Sequence, residues 1–275
     1  LVLNAQKGRE LKILYYGSRL SDTDLENIAA SEGTGQNAYP AYGMNCPAEA
    51  AISAIQPDGN MTLDMAVDRV SFREDKEGKT TVITIKDNVY PFSVDICYKA
   101  YRENDMTGIW TEIANSGNRP VTLTEFASAF LPVRRGDVWI SHLYGSWANE
   151  GIVATEPLNP GVKVIKNKDG VRNSHTSHAE VMISLDGKPN EEYGNVIGAA
   201  LCYSGNFELK FDTDDTDWHR FFAGINPDNS HYSLAPGETF VTPELAVTYS
   251  SHGIGGASRN FHRWGRTYKL ANGDE

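Results

Sequence analysis

TTVITIKD (residues 80–87) and FSVDICYKAY (residues 92–101) decide the fold class. Both runs are short, rich in β-branched and aromatic residues, and alternate apolar with polar positions, as a strand with one buried face does. The same signal recurs in WTEIANSG (110–117), VTLTEFASAFL (121–131), DVWISHLYG (137–145), AEVMISLDG (179–187), VIGAALCYSGNFELKFD (196–212) and TFVTPELAVTYSS (239–251). Between the runs stand turn formers: Pro57-Asp58-Gly59-Asn60, Asn115-Ser116-Gly117-Asn118, Leu185-Asp186-Gly187-Lys188 and Ala235-Pro236-Gly237-Glu238. Many strands joined by short polar turns predict an all-β fold of stacked antiparallel sheets.

Helical signal is sparse, and under about a tenth of the chain is expected to be helical, as in a sandwich. Ser21-Asp22-Thr23-Asp24, ahead of Leu25, Ile28 and Ala29, predicts a short helix whose capping box carries Asp in place of the usual Glu. A second helix is expected over 258–270, where Phe261, Trp264 and Tyr268 share one face. That aromatic stripe reads as core contact rather than a ligand platform.

A chain of 275 residues with 40% hydrophobic content can bury a sizeable core, and no repeat or linker divides it. One domain, 1–275, is expected. With 25 Lys+Arg against 36 Asp+Glu, the net charge of -11 disfavours nucleic acid and anionic membrane surfaces as partners. The basic residues Arg259, Arg263, Arg266 and Lys269 read as a solvated face. No window is long and apolar enough to span a bilayer, which predicts a soluble chain, cytoplasmic or periplasmic. Cys46, Cys97 and Cys202 are too scattered for a disulfide framework and read as buried thiols.

Three groups of residues invite chemistry. Asp212-Thr213-Asp214-Asp215-Thr216-Asp217 suggests calcium, but its sixth position is Asp rather than the Gly of an EF-hand loop, so a solvated loop is expected. His175 and His178 with Glu180 could hold a metal only if the backbone turned them to one point, which an extended segment does not do. Seven His and many Ser permit a hydrolytic triad on paper, yet G-x-S-x-G is absent. Neither a cofactor nor a metal is expected.

From residue 194 onward the chain carries Tyr203-Ser204-Gly205-Asn206-Phe207, Gly224-Ile225-Asn226-Pro227, Pro236-Gly237-Glu238-Thr239-Phe240 and Thr242-Pro243-Glu244. Tyr249-Ser250 and then Ser258 with His262 follow. Tyr15-Tyr16-Gly17, Tyr39-Pro40-Ala41-Tyr42-Gly43 and His142-Leu143-Tyr144-Gly145-Ser146-Trp147 precede them in order. In these segments the chain resembles the N-terminal domain of family 36 glycoside hydrolases of the α-galactosidase type. The resemblance implies a β-supersandwich with one or two short helices, followed in the family by a (β/α)8 barrel. It also implies hydrolysis of α-galactosides with retention, by two Asp that belong to the barrel. No catalytic residue is carried onto this chain, which stops at Asn272-Gly273-Asp274-Glu275 before any barrel segment.

The implied partners are the barrel of the same parent chain and further copies in a homo-oligomer, with an α-galactoside reached only through the complete enzyme. His142, Tyr144 and Trp147, with Asp22 and Asp24, are the candidates for barrel or sugar contact. Trp147 either serves such a surface or is enclosed by this domain's own strands. Departures from the family pattern are a shortened stretch from Ser18 to Ala38, Met44-Asn45-Cys46-Pro47-Ala48 where an Asp and an Arg are usual, and Asn149-Glu150 in place of Arg-Glu. Two rival readings stand beside this one. In a stand-alone carbohydrate-binding module Tyr144, Trp147 or Trp218 would stack on sugars, although most of the five Trp are expected in the core; the other rival is an independent hydrolase.

Overall fold

A computed structural model of the chain describes residues 1–30, 35–44, 48–171 and 176–271. Strands β1 (Val2–Asn4), β2 (Lys12–Tyr15) and β3 (Gln36–Asn37) form a small antiparallel sheet, with helix α1 (Asp22–Ala30) between β2 and β3. After β4 (Ile52–Ile55) come four consecutive antiparallel neighbours: β5 (Met65–Glu74), β6 (Gly78–Asp87), β7 (Phe92–Tyr101) and β8 (Met106–Asn115). The long β9 (Val121–Arg135) crosses to a second sheet, and the hairpin β10 (Trp139–Ser146) and β11 (Asn149–Pro157) returns to the first. Next follow β12 (Gly161–Lys166), β13 (Ser177–Ser184), β14 (Val196–Leu201), β15 (Phe207–Thr213), β16 (Trp218–Ile225) and β17 (Tyr232–Leu234). The last strands are β18 (Thr239–Val241) and β19 (Leu245–Ser250).

The ten-stranded sheet runs β11-β10-β13-β14-β19-β8-β7-β6-β5, with β18 also on β8. The six-stranded sheet runs β12-β15-β16-β9-β17, with β4 also on β9. Facing rows of Ile83, Ile96, Ile109, Ile140, Ile183 and Ile197 from the first sheet, and Leu123, Phe207, Leu209, Phe211 and Phe221 from the second, are buried in one core. This is the expected β-supersandwich.

Two apolar runs that read as single strands are each broken. VIGAALCYSGNFELKFD divides because Cys202–Asn206 carries the chain from one sheet to the other. TFVTPELAVTYSS divides at Pro243, which has no N–H for the ladder; there the Thr242 hydroxyl accepts the orphaned Thr111 N–H at 2.9 Å. Cys97 is buried as expected, but Cys202 lies in that crossover and is exposed. Cys46 lies outside the described residues.

α1 begins where the capping box predicts: Asp24 N–H donates to Ser21 Oγ at 3.2 Å, and Ser21 Oγ donates to Asp24 Oδ2 at 2.6 Å. α2 (Gly253–Trp264) starts five residues before the expected Ser258 and runs into one π-helical turn, Gly265–Lys269. Its early start has a tertiary cause. The N–H groups of Gly253, Ile254 and Gly255 donate to the carbonyls of Gly194, Asn190 and Glu191, caps supplied by a distant loop. As the aromatic stripe predicts, Trp264 packs on Tyr101, Met106 and Ala246, flanked by Phe261 and Tyr268.

The Asp212–Asp217 segment departs from the expected solvated loop. Asp212 is a buried strand residue, and Asp214 closes the turn by accepting from Thr216 and Trp218 N–H groups while Arg220 pairs with both acids. Only residues 215–217 are exposed. Outer residues of the six-stranded sheet are covered by the segment around Glu49, whose N–H donates to Asp212 Oδ2 at 3.1 Å.

Candidate functional site

Along β10, Ile140, His142 and Tyr144 point to the face that carries the core, whereas Ser141 and Leu143 point to the face under α2. The register places Ser141, Met182, Gly198, Thr248 and Met106 in one row across five strands. Phe261 of α2 lies over this row; a Cβ on Gly198 would come within 2.7 Å of its ring, so only glycine lets the helix seat here. Asn260 fastens the helix by donating to Thr248 Oγ1 at 2.8 Å.

Beyond α2 the sheet is open. Leu143, Val153, Met182, Ile254 and Phe261 line a groove of about 440 Å³ between the helix and strands β10, β11 and β13, with Glu180, Glu191 and His262 at its margin. Val153 is 63% exposed there. A groove of this volume is in the range of ligand and partner sites.

The β10–β11 hairpin projects the candidate aromatics. Ser146 pairs with Asn149, so Trp147 and Ala148 form the tip, with Ala148 at φ 61° in the left-handed region. Gly145 is required because a Cβ would sit 2.5 Å from the Asn149 carbonyl oxygen. Trp147 is 83% exposed, which overturns the reading that this domain's own strands enclose it. Tyr144 is 43% exposed, with its ring centroid 6.4 Å from that of His142. His142 is largely buried: Nε2 lies 3.4 Å from Glu156 Oε1, while Nδ1 is buried without a hydrogen-bond partner. Lys163, 2.8 Å from Glu156, holds that carboxyl below its usual range.

Asp22 and Asp24 lie on α1, which connects β2 to β3 of the three-stranded sheet and has no buried residue. Asp24 is used by the capping box; both acids favour the positive end of the helix dipole. His142, Tyr144 and Trp147 therefore share one hairpin, while the two acids have a local structural role on another element. His178 faces Glu180 at 3.4 Å, and His175 lies outside the described residues. Among the described residues, no three His, Cys, Asp or Glu side chains group as metal ligands.

The expectation that most Trp are core is also corrected. Of the five only Trp264 is buried. Phe and branched aliphatic residues fill the sandwich, while Trp110 lies midway along the central strand β8 and Trp139 opens β10, where Glu112 and Asp137 accept their indole N–H groups.

One carboxylate cluster went unnoticed in the sequence because its members are far apart along the chain. Glu49, Glu125 and Glu208 surround Lys210, whose side chain is 8% exposed and lies 5.3 Å from the Phe222 ring centroid. The adjoining cavity is only about 10 Å³, room for one water and not for a sugar. The Glu125 carboxyl is pushed up to about 7, chiefly by burial, with Lys210 opposing and Glu208 and Glu49 adding to the rise. The folded protein thus binds this proton more tightly than the unfolded chain, whose Glu titrates near 4.3. Its stabilising contribution is full below that value and is lost as pH rises through 7. Glu125→Gln is expected to raise stability at pH 8 by about 1 kcal/mol, an amount reduced for partial solvent screening, and to change little at pH 4. Thermal unfolding at the two pH values checks this; an equal difference at both would show that Glu125 is ionised throughout.

The family model described as glycosyl hydrolase family 36 N-terminal domain matches residues 9–235. The α-galactosidase Mel36A of Lactobacillus acidophilus is 32% identical over 190 residues, which cover 69% of this chain and 26% of the relative. The α-galactosidase AgaA of Geobacillus stearothermophilus is 32% identical over 201 residues, 72% of this chain and 27% of the relative. A stachyose-bound variant of AgaA superposes with a TM-score of 0.89 at 23% identity, covering 99% of this chain and 42% of that one. The Lactobacillus brevis α-galactosidase gives 0.85 at 23%, covering 96% and 40%; these two likenesses speak for the fold alone. The chain spans about a quarter of the length of these two curated relatives. With the family match over most of its length and the sandwich to accompany it, the chain belongs to the glycosyl hydrolase family 36 N-terminal domain family.

Proposed function

We propose that this chain is the non-catalytic N-terminal domain of an α-galactosidase-like retaining glycoside hydrolase, which docks against a catalytic (β/α)8 barrel and supports oligomer assembly. The observation that carries this reading is the apolar groove beside α2. Leu143, Val153 and Ile254 leave there a surface that the domain does not cover itself, continuous with the hairpin that presents Tyr144 and Trp147. His142, Tyr144 and Trp147 are assigned to the barrel or its sugar, and Asp22 and Asp24 to the outward face of α1, where a barrel or a second subunit would meet them. The exposure of Trp147 also favours a second reading, a carbohydrate-binding module that acts alone.

Retaining hydrolysis needs two carboxyl groups about 5 Å apart across a bound sugar. The acids around Lys210 adjoin a cavity too small for one, and Asp75 and Glu77 are both taken up by Lys99 Nζ at 2.9 and 2.7 Å. The purified chain is therefore expected to release no phenol from an aryl α-galactoside. Turnover that survives repurification and disappears when one Asp or Glu of this chain is replaced would defeat the reading. Trp147→Ala should leave unfolding of the chain within about 0.5 kcal/mol of its parent, as for exposed positions generally. In a protein that also carries the barrel, the same substitution should lower kcat/KM for α-galactosides at least tenfold. An unchanged kcat/KM there would remove the hairpin from the proposed contact.

A further inference from the structure

We propose that the cleft between β2 and the loop ends of the two large sheets is a binding site for a neutral mono- or disaccharide. The cleft encloses about 350 Å³, at the small end of the range for ligand sites of about 300–1,000 Å³. It uses none of the residues of the β10–β11 hairpin, so it stands whether or not that hairpin docks on a barrel.

Its walls combine an aromatic platform with the polar side chains of Arg134 and Asn195, which Asp186 links from outside the lining. Trp218 is half-buried, and the Arg135 guanidinium sits 5.2 Å from its ring centroid. Tyr15 and Tyr249 add two more aromatic rings. The polar chain begins at Arg134, whose Nη1 donates to Asp186 Oδ1 at 3.1 Å. Asp186 Oδ2 accepts from the backbone N–H and the Nδ2 of Asn195, at 2.8 and 2.7 Å. Asn195 Oδ1 accepts from the Tyr249 hydroxyl at 2.5 Å. These bonds hold the planar groups before any ligand arrives, which lowers the entropic cost of binding.

Donors remain on both sides. Among the described residues Arg134 Nη2 and Trp218 Nε1 meet no acceptor, and both side chains are accessible to solvent. A pyranose offers the matching chemistry: an apolar ring face for an aromatic surface, and edge hydroxyls that both donate and accept. Asp186 neutralises Arg134, and the net charge of -11 opposes an anionic ligand, so the fit is to an uncharged sugar.

The test is a titration of the full 275-residue chain, uniformly labelled with nitrogen-15, with methyl α-D-galactopyranoside, methyl α-D-glucopyranoside and lactose as probes. At least one probe is expected to shift the Trp218 indole resonance and the Asn195 amides saturably, with a Kd on the order of 1 mM. Trp218→Ala should weaken that binding about tenfold or more, as loss of a central aromatic anchor does. Arg134→Ala, at an exposed position that does not threaten the fold, should weaken it several-fold. Saturable shifts confined to Trp147 and its neighbours would overturn the assignment, as would binding that both variants retain or the absence of saturable shifts with all three sugars.

Discussion

Arg220→Ala is expected to cost about 3–5 kcal/mol of folding stability, the range for breaking a buried ion cluster by removing its shared partner. Arg220 is 4% exposed, and its Nη1 and Nη2 reach Asp212 Oδ2 at 3.5 Å and Asp214 Oδ2 at 2.5 Å. Without it, two carboxylates that are 11% and 18% exposed lose the one ion-pair partner they have among the described residues. Burial by itself would raise the Asp214 carboxyl. Hydrogen bonds from Thr216, Arg220 and Trp218 more than offset this and hold it well below the usual carboxylate range. The group therefore contributes stability that is full above the unfolded value near 3.9 and is lost as pH falls through the lower folded value. The penalty of Arg220→Ala should be largest near neutrality and shrink below about pH 4, where the Asp214 carboxyl, no longer held low by the guanidinium, takes up a proton. Urea unfolding at pH 7 and pH 3.5 measures both parts. A penalty under about 1 kcal/mol at pH 7 would mean that water already solvates the cluster and that Asp212–Asp217 is the open loop its composition suggests.

Trp264→Ala is expected to cost about 3 kcal/mol, the lower end for a buried large aromatic, because its cluster lies outside the main core. Trp264 meets Tyr101 edge-to-face at 5.7 Å and Phe261 at 6.4 Å, with Lys269 Nζ 4.9 Å from its ring. Those contacts seat α2 on β8 and β19, and the seated helix forms one wall of the apolar groove. The loss should therefore be local. Hydrogen exchange is expected to show α2 deprotected while β14 and β19 keep their protection, and the exposed underside of the helix should bind a hydrophobic dye. Trp264→Phe should stay within about 1.5 kcal/mol, since it keeps an aromatic ring against Tyr101 and Phe261. Uniform loss of protection across the sheets would show that α2 is part of one cooperative unit with the sandwich.

How well the residues announced the structure depended on how local the deciding interaction was. β7 spans the predicted run from Phe92 to Tyr101 because alternation is a property of neighbouring residues. The Ser21–Asp24 cap likewise needs only residues three apart. By contrast, the start of α2 depends on carbonyls from Asn190 to Gly194, more than fifty residues upstream, and could not be read from the glycines that open the helix. Asp212 to Asp217 looked like a hydrated acidic loop because composition does not record that Arg220, across a hairpin turn, lies over the same face. The placement of Trp differs from expectation for a related reason: size and hydropathy favour burial, but an indole N–H needs an acceptor, and Glu112 and Asp137 offer theirs outside the core.

For the candidate sites the division is the same. The chain's residues by themselves determined the all-β class, the family resemblance and the grouping of His142, Tyr144 and Trp147 on one short segment, because alternation, turn chemistry and contiguous motifs are encoded between near neighbours. Only the tertiary structure decided that Trp147 stands in solvent, that Asp24 is engaged in a helix cap, and that an apolar groove opens beside α2. It alone brought Tyr15, Arg134, Asn195, Trp218 and Tyr249 to one cleft from across more than two hundred residues. The physical reason is that burial and convergence depend on sheet order. Strands adjacent in sequence, such as β8 and β9, enter different sheets, while β8 and β19, with more than a hundred residues between them, share a hydrogen-bonded edge.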